Sequence, residues 1–305
     1  MNDILLPKKI CKGDTIGIIA PSRPVYNIEE KIKKGAEVLE DMGYKVVFGR
    51  NIKKQLYYSA GTPQERADDL NEMFSNPKIS MILCATGGIT SNQLLPYIDF
   101  DIIKNNPKPF IGYSDITTLL LAIYKKTGLV TFHGPDLSDI AGLNKDALQF
   151  LFNLLSGEIK NKTLSQDIEI IQEGTAIGKL IGGNIYLING LLGTPFSPSL
   201  DGSIFFWEET GVPPAMVHQE LMHLKLAGAL DDIRGIVIGH LSDCIDNKYE
   251  NENRSINEII IEVINNKNIP IIKVDSFGHD INDFYTFPIG LNAEIDTVKK
   301  YFSLK

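Results

Sequence analysis

Thr15-Ile16-Gly17-Ile18-Ile19-Ala20 is a continuous, β-rich apolar run that stops at Pro21, and the segment behind it, Ile28 to Met42, carries apolar residues at 28, 32, 36 and 39. The first pattern is that of a buried strand, and the second that of a helix with one face turned inward. Gly43 stops the helix, and Tyr44 to Phe48 reads as a second strand. The same succession then recurs. Thr62-Pro63-Gln64-Glu65 is a capping box with proline at the first helical position; it opens a helix through Phe74, and Ile79 to Ala85 follows as a buried strand. Lys108 to Gly112 is a strand with the helix Asp115 to Lys126 behind it, and Leu129 to Phe132 with Asn144 to Leu155 makes one more pair. Alternation of this kind predicts an α/β fold, with a Rossmann-like, doubly wound parallel sheet over residues 1–160.

From Gly157 to Gly178 the chain turns polar, broken only by the short run Ile168 to Ile171. Residues 161–178 therefore read as a linker and the leading strand of a second domain. Residues 179–305 predict a smaller, mixed α/β C-terminal domain. Its strands are Ser203 to Trp207, Gly235 to Gly239 and Ile271 to Val274, its helices run from Pro213 to about Leu230 and from Ser255 to Asn265, and Glu294 to Phe302 closes it with a strand or two.

Composition narrows the function. Thirty Lys and Arg against thirty-eight Asp and Glu leave a net charge of −8 over 305 residues, and 43% of them are apolar. An acidic globule is a poor partner for nucleic acid, which is held by clustered cations that displace counterions. The longest strictly apolar run, Leu119 to Tyr124, falls far short of the roughly 18 residues that span a bilayer. The stretch Met1 to Lys9 lacks a charged leader followed by an apolar core, and Cys11, Cys84 and Cys244 are odd in number and widely spaced, so a cytoplasmic protein with reduced thiols is expected. Cys84, inside Met81-Ile82-Leu83-Cys84-Ala85, reads as a buried inert thiol. Five histidines without an HExxH or Cys/His cluster predict no metal site. Ala20-Pro21-Ser22-Arg23-Pro24 stands where a dinucleotide-binding protein would carry GxGxxG, and no cofactor is expected.

Ligands of open α/β sheets bind beyond the carboxyl ends of the strands. Four strand ends carry suitable chemistry. Ser114, in Gly112-Tyr113-Ser114-Asp115, stands at a strand–turn–helix junction, either as a helix cap or as a nucleophile presented to orphan amides. Gly87-Gly88 is either a plain turn or a place where backbone amides approach a ligand; with the Asp115 amide, that of Gly88 would make an oxyanion hole. Glu208 and Glu209 follow Ser203-Ile204-Phe205-Phe206-Trp207, and strand alternation sends one of them inward, where it could orient an imidazole. His279, after Gly278, has the loop context of a general base, with His240 as its competitor. Asn184, after Gly182-Gly183, is an N-cap or a side chain facing a ligand.

Taken in order, Gly13 to Ser22, Gly87-Gly88 with Ser91 to Asp99, Gly112 to Thr117, Ile181 to Asn184, Trp207-Glu208-Glu209 and Gly278-His279 resemble the LD-carboxypeptidase family of serine peptidases, from about residue 8 to residue 290. The resemblance implies a Ser-Glu-His triad with Ser114 as nucleophile, Glu208 as orienting acid and His279 as general base. It also implies a site between a Rossmann-like domain and a smaller C-terminal one, and a homodimer. Gly88 and Asp115 would supply the oxyanion amides, and Gly87 and Asn184 would help bind substrate. One branch of the family removes terminal D-alanine from murein tetrapeptides; the other, the microcin C self-immunity branch, cleaves an amide between an acidic amino acid and a modified nucleotide. Gly88 to Pro96 is more similar to the immunity branch. Immunity proteins of that branch stack adenine on a tryptophan of the interdomain loop, whereas residues 157–178 contain none and the sole tryptophan is Trp207. The expected substrate is a small peptide or an aminoacyl-nucleotide-like amide. A binding protein that kept the cleft and lost turnover is the reading from another class.

Overall fold

Thr15–Ile19 forms β1, the strand on which the first sheet is built; it pairs in parallel with β2 (Lys45–Phe48) on one side and with β3 (Met81–Cys84) on the other. β4 (Phe110–Gly112) and β5 (Thr131–His133) continue the parallel sheet beyond β3. The resulting order, β2-β1-β3-β4-β5, reverses direction between β1 and β3, the switch point at which doubly wound sheets open a crevice beyond their strand ends. The loops leaving β1, β3 and β4 hold Ser22, Gly87-Gly88 and Ser114. These coordinates are a computed structural model, which describes residues 3–157, 163–165, 168–245, 251, 253–265 and 267–305.

The connecting helices follow from local chemistry. α1 (Glu29–Asp41) buries Ile32, Gly35, Ala36 and Leu39, a stripe at helical spacing. α2 (Pro63–Ser75) starts at the capping box, in which Thr62 Oγ1 accepts from the Glu65 amide and the Glu65 carboxylate accepts from the Thr62 amide. A 3-10 turn (Ser91–Tyr97) and the short α3 (Phe100–Asn105) fill the stretch before β4, where the sequence shows no clear periodicity. α4 (Thr117–Thr127) is buried on nearly every side from Thr117 to Ile123, which makes it a core helix and a rigid base for the turn in front of it. α5 (Leu137–Ile140) and α6 (Lys145–Leu155) complete the set, the latter capped by Asn144 on the Ala147 amide.

The chain divides into two compact units, residues 1–159 with 282–290 and residues 160–281 with 291–305. The sequence places 282–290 with the C-terminal domain; in the structure Phe287–Ile289 forms β12, which closes the first sheet antiparallel to β5. A strand of three residues is too short for a period-two pattern to be read. Of the stretch 161–178 read as a linker, residues 161, 162, 166 and 167 lie outside the described residues, while Thr163–Ser165 is a strand, β6. Glu169–Gln172 forms β7, and β8 (Thr175–Asn184) begins before the stretch ends.

The second unit carries its own sheet. β8, β9 (Ser203–Thr210), β10 (Gly235–Ser242) and β11 (Ile271–Lys273) run parallel at its centre. β7 borders them antiparallel on one side, and β13 (Asn292–Asp296), β14 (Tyr301–Leu304) and β6 border them on the other. α7 (Ile185–Leu191), α8 (Pro214–Leu226) and α9 (Ile256–Ile264) cover it. Among the described residues, no helix is long and apolar enough to cross a membrane.

Candidate active site

Ser114 follows β4 by two residues and takes φ = +57°, in the left-handed region that a β-carbon disfavours by about 1–2 kcal/mol. It lies inside a 3-10 turn, Ser114–Ile116, that runs straight into α4. The cap positions, Tyr113 and Ile116, bear no side-chain cap, so Ser114 is not the N-cap that its sequence context also allowed. A strained turn between a strand and a buried helix is how α/β hydrolases hold a serine hydroxyl out for attack.

The glycines beside it are close-approach positions. A β-carbon on Gly87 would lie 3.1 Å from Ser114 Cβ and 3.3 Å from its Oγ, so the backbone leaving β3 passes directly by the hydroxyl. Gly88 has φ = +153°, and a β-carbon there would meet Ser22 Oγ at 2.1 Å. Asp115 is buried, and its carboxylate accepts hydrogen bonds from Ser22 Oγ at 2.5 Å and from the Thr90 and Ser91 amides at 2.8 Å each. Its own carbonyl accepts from Ser91 Oγ at 2.7 Å. The sequence reading names only the Asp115 amide and misses this side-chain network. The readable signal lay on α2, where Arg66 occupies the apolar stripe with Ala67, Leu70, Met73 and Phe74.

In the second unit, Glu208 is fully buried on β9 and its Oε2 lies 2.7 Å from His279 Nδ1. The pairing follows from strand alternation. Phe206 and Glu208 point to one face of β9, and the segment crossing that face sets Phe277 edge-on against Phe206, with ring centroids 5.7 Å apart, and His279 against Glu208. Between them Gly278 takes φ = +126°, and a β-carbon there would sit 2.8 Å from the His240 carbonyl oxygen. The far end of the loop is pinned by Ser242 Oγ donating to the Asp280 carboxylate. Burial pulls the His279 pKa down, but the charge and hydrogen bond of Glu208, with smaller pulls from Glu209 and Asp280, outweigh it and leave the imidazole raised above its ordinary value.

Other candidates take different places. The expectation that one of Glu208 and Glu209 faces inward is corrected: both are buried, because β9 is an interior strand covered on both faces. Glu209 accepts from the Asn184 amide at 3.0 Å, from the Tyr186 backbone amide at 3.2 Å and from the Thr210 amide at 2.8 Å. Asn184, buried itself, also caps α7 by accepting from the Leu187 amide at 3.3 Å. His240 Nδ1 faces Asp275 Oδ1 at 3.3 Å. Trp207 is wholly buried in β9. Burial also pushes the Cys84 thiol far up, with Asp136 and Asp115 adding to the effect, as an inert core thiol requires. Among the described residues no three His, Cys, Asp or Glu side chains gather as metal ligands would.

Residues 16–134 match the LD-carboxypeptidase N-terminal domain and residues 177–295 match the LD-carboxypeptidase C-terminal domain. The probable murein peptide carboxypeptidase of Bacillus subtilis is 35% identical over 303 residues, covering 96% of this chain and 92% of that protein. The microcin C7 self-immunity protein MccF of Escherichia coli is 32% identical over 334 residues, covering 98% of this chain and 95% of that protein. A solved structure of MccF overlays with a TM-score of 0.91 at 31% identity, over 99% of this chain and 98% of that one. MccF has also been solved in complex with aspartyl sulfamoyl adenosine. The muramoyltetrapeptide carboxypeptidase of Oxalobacter formigenes overlays with a TM-score of 0.83 at 27% identity, over 95% of this chain and 97% of that one.

Proposed function

The chain belongs to the LD-carboxypeptidase family and is a serine carboxypeptidase, and from that premise we propose that Ser114, Glu208 and His279 work as one Ser-Glu-His triad. The observation that carries the proposal is the 2.7 Å bond from a fully buried carboxylate to His279 Nδ1. It is supported by the left-handed strand–helix turn at Ser114. Residues before 160 then supply the nucleophile, and residues after 179 supply the acid and base.

His279 Nε2 takes the proton of Ser114 Oγ while the oxygen attacks the scissile carbonyl, and Glu208 stabilises the imidazolium that forms. The Gly88 and Asp115 amides receive the negative charge on the carbonyl oxygen; in acyl transfer one such donor is worth about 2.7–4 kcal/mol. His279 returns its proton to the leaving amine and the C–N bond breaks, which leaves an ester on Ser114. Water, deprotonated by the same imidazole, then releases the acid.

For the substrate, the proposal is an amide in a peptide or peptide-like molecule of the immunity kind, an acidic amino acid joined to a nucleotide. The 0.91 TM-score to MccF and the spelling of Gly88 to Pro96 support it. A second reading, removal of D-alanine from a murein tetrapeptide, is favoured by one specific observation. Trp207, the sole tryptophan, is fully buried and offers no ring on which a base could stack. A cytoplasmic homodimer is part of the proposal in either case.

The test incubates the protein and its Ser114→Ala variant with a murein tetrapeptide and, separately, with aspartyl sulfamoyl adenosine, and follows the products by mass spectrometry. Cleavage of the nucleotide alone supports the first reading, and cleavage of the tetrapeptide alone the second. Full turnover by Ser114→Ala would remove Ser114 as the nucleophile. Binding of either compound without turnover by the unaltered chain would favour a protein that kept the cleft and lost the chemistry.

A further inference from the structure

Arg66 is 1% exposed, without the solvent contact that most arginines keep. Its Nη1 donates to the Pro21 carbonyl at 2.7 Å and to the carbonyl and hydroxyl of Thr90 at 3.0 Å each, and its Nη2 donates to Gln93 Oε1 at 2.7 Å. The backbone amide of Thr90 donates in the opposite direction, to Asp115 Oδ2. Thr90 is thus gripped from both sides, by a guanidinium on its oxygens and a carboxylate on its N–H. Pro21 and Ser22 belong to the loop after β1, Thr90 and Ser91 to the loop after β3, and Asp115 to the turn after β4. One buried cation and one buried anion therefore tie together three strand ends at the switch point of the sheet.

We infer that Arg66 and Asp115 are positioning residues that hold the Gly88 amide in register with the Asp115 amide, so that both donors meet one oxyanion. The inference rests on the reading of Ser114 as nucleophile. Ser22 completes the linkage: its hydroxyl donates to Asp115 while packing against Gly88 so tightly that no β-carbon fits there. A shift of the Asp115 carboxylate therefore moves Ser22 and, with it, the Gly88 backbone. Stability alone does not call for such an arrangement, since buried charged groups are commonly replaced by well-packed apolar side chains of similar volume without loss. Direction is what charge-assisted hydrogen bonds add, and oxyanion donors depend on direction.

The test compares Ser22→Ala, Arg66→Met and Arg66→Lys with the unaltered chain and with Ser114→Ala. Turnover is read on whichever amide the unaltered protein cleaves, and a fluorophosphonate probe, whose adduct puts an oxygen where the oxyanion forms, reads Ser114 reactivity directly. Ser22→Ala is expected to lower kcat and the labelling rate about tenfold and Arg66→Met about a hundredfold, with KM within about twofold and partial recovery in Arg66→Lys. A purely structural role would lower the melting temperature and leave both rates of the folded protein unchanged. The inference is overturned if folded Ser22→Ala and Arg66→Lys keep kcat and labelling within about twofold, or if the loss falls on KM alone. Ser22→Ala removes one oxygen and decides the matter should Arg66→Met fail to fold. If Ser114→Ala still turns over, the nucleophile assignment falls and the inference falls with it, an outcome distinct from normal rates in the Ser22 and Arg66 variants beside an inactive Ser114→Ala.

Discussion

Glu208 Oε2 lies 2.7 Å from His279 Nδ1, with the carboxylate fully buried and the imidazole 17% exposed. In the proposed triad this contact sets the protonation chemistry of the base. Burial alone would depress His279, and Glu208 is the largest influence holding it above its ordinary value. A general base works when neutral, so the raised value places the acid limb of kcat/KM above about pH 6.5. Glu208→Gln removes the charge and leaves the burial; the limb is expected to move to lower pH while kcat falls by about 10²–10⁴, because the tautomer is no longer fixed. A pH–rate profile of both proteins checks the sign. The same raised value contributes stability that is complete below about pH 6.5 and fades as pH rises through the folded-state value, so Glu208→Gln should cost more stability in acid than in base.

His240 lies on β10 and His279 in a loop, and sequence context alone, which reads both as following strands, does not separate them. Their partners differ: His240 faces Asp275 at 3.3 Å with its side chain 35% exposed, and His279 faces the buried Glu208. A polar contact that exposed to water contributes about 0–1 kcal/mol. His240→Ala is accordingly expected to keep kcat within about threefold, whereas His279→Ala should lose at least about a hundredfold. Steady-state kinetics on a hydrolysed amide settles the choice, and equal losses in both variants would mean that His240 shares the chemistry.

Much of this was legible in the sequence because it follows from short-range rules. The run 15–20 reads as a buried strand, the capping box at Thr62 starts a helix, and Gly87-Gly88 and Ser114 fall just beyond β3 and β4, whereas Glu208, Glu209 and His240, read as following strands, lie within β9 and β10, which run on past their apolar cores. What escaped was set by long-range pairing. β12 joins the first sheet through a partner more than a hundred residues earlier, β5, and nothing in Phe287–Ile289 states that partner. Alternation sends only one of Glu208 and Glu209 inward, yet both are buried, since alternation reports opposite faces but not whether a face is covered. Asn184 was legible as a cap, but its bond to Glu209 depends on the β8–β9 register. Arg66 and Asp115 lie far apart in sequence and come together around Thr90 and the Pro21-Ser22 loop.

Gly278 permits the Glu208–His279 contact in two ways, through φ = +126° and through the lack of a β-carbon that would sit 2.8 Å from the His240 carbonyl. Gly278→Ala is expected to destabilise the protein by about 1–3 kcal/mol from backbone strain alone, before the steric clash is added. The neighbouring His279 should be displaced from Glu208 as the loop relieves that clash. The melting temperature and kcat should therefore fall together, and a variant with wild-type kcat and an unchanged melting temperature would show that the loop has no need of glycine.

Glu220, on α8, is 7% exposed, and its Oε2 is buried without a hydrogen-bond partner. Burial, with a further push from Glu209, raises its carboxyl from 4.5 to about 8. The folded state therefore holds this proton between about pH 4.5 and pH 8, where the unfolded chain has released it. Folding binds a proton in that window, so stability falls as pH climbs through it and levels off above. Glutamine imitates the protonated acid in shape and neutrality and does not titrate. Glu220→Gln is expected to match the unaltered protein near pH 5 and to melt at a higher temperature near pH 9, with activity at neutral pH preserved. Thermal unfolding at the two pH values makes the comparison, and an equal change at both would mean that Glu220 is not carried as a neutral acid.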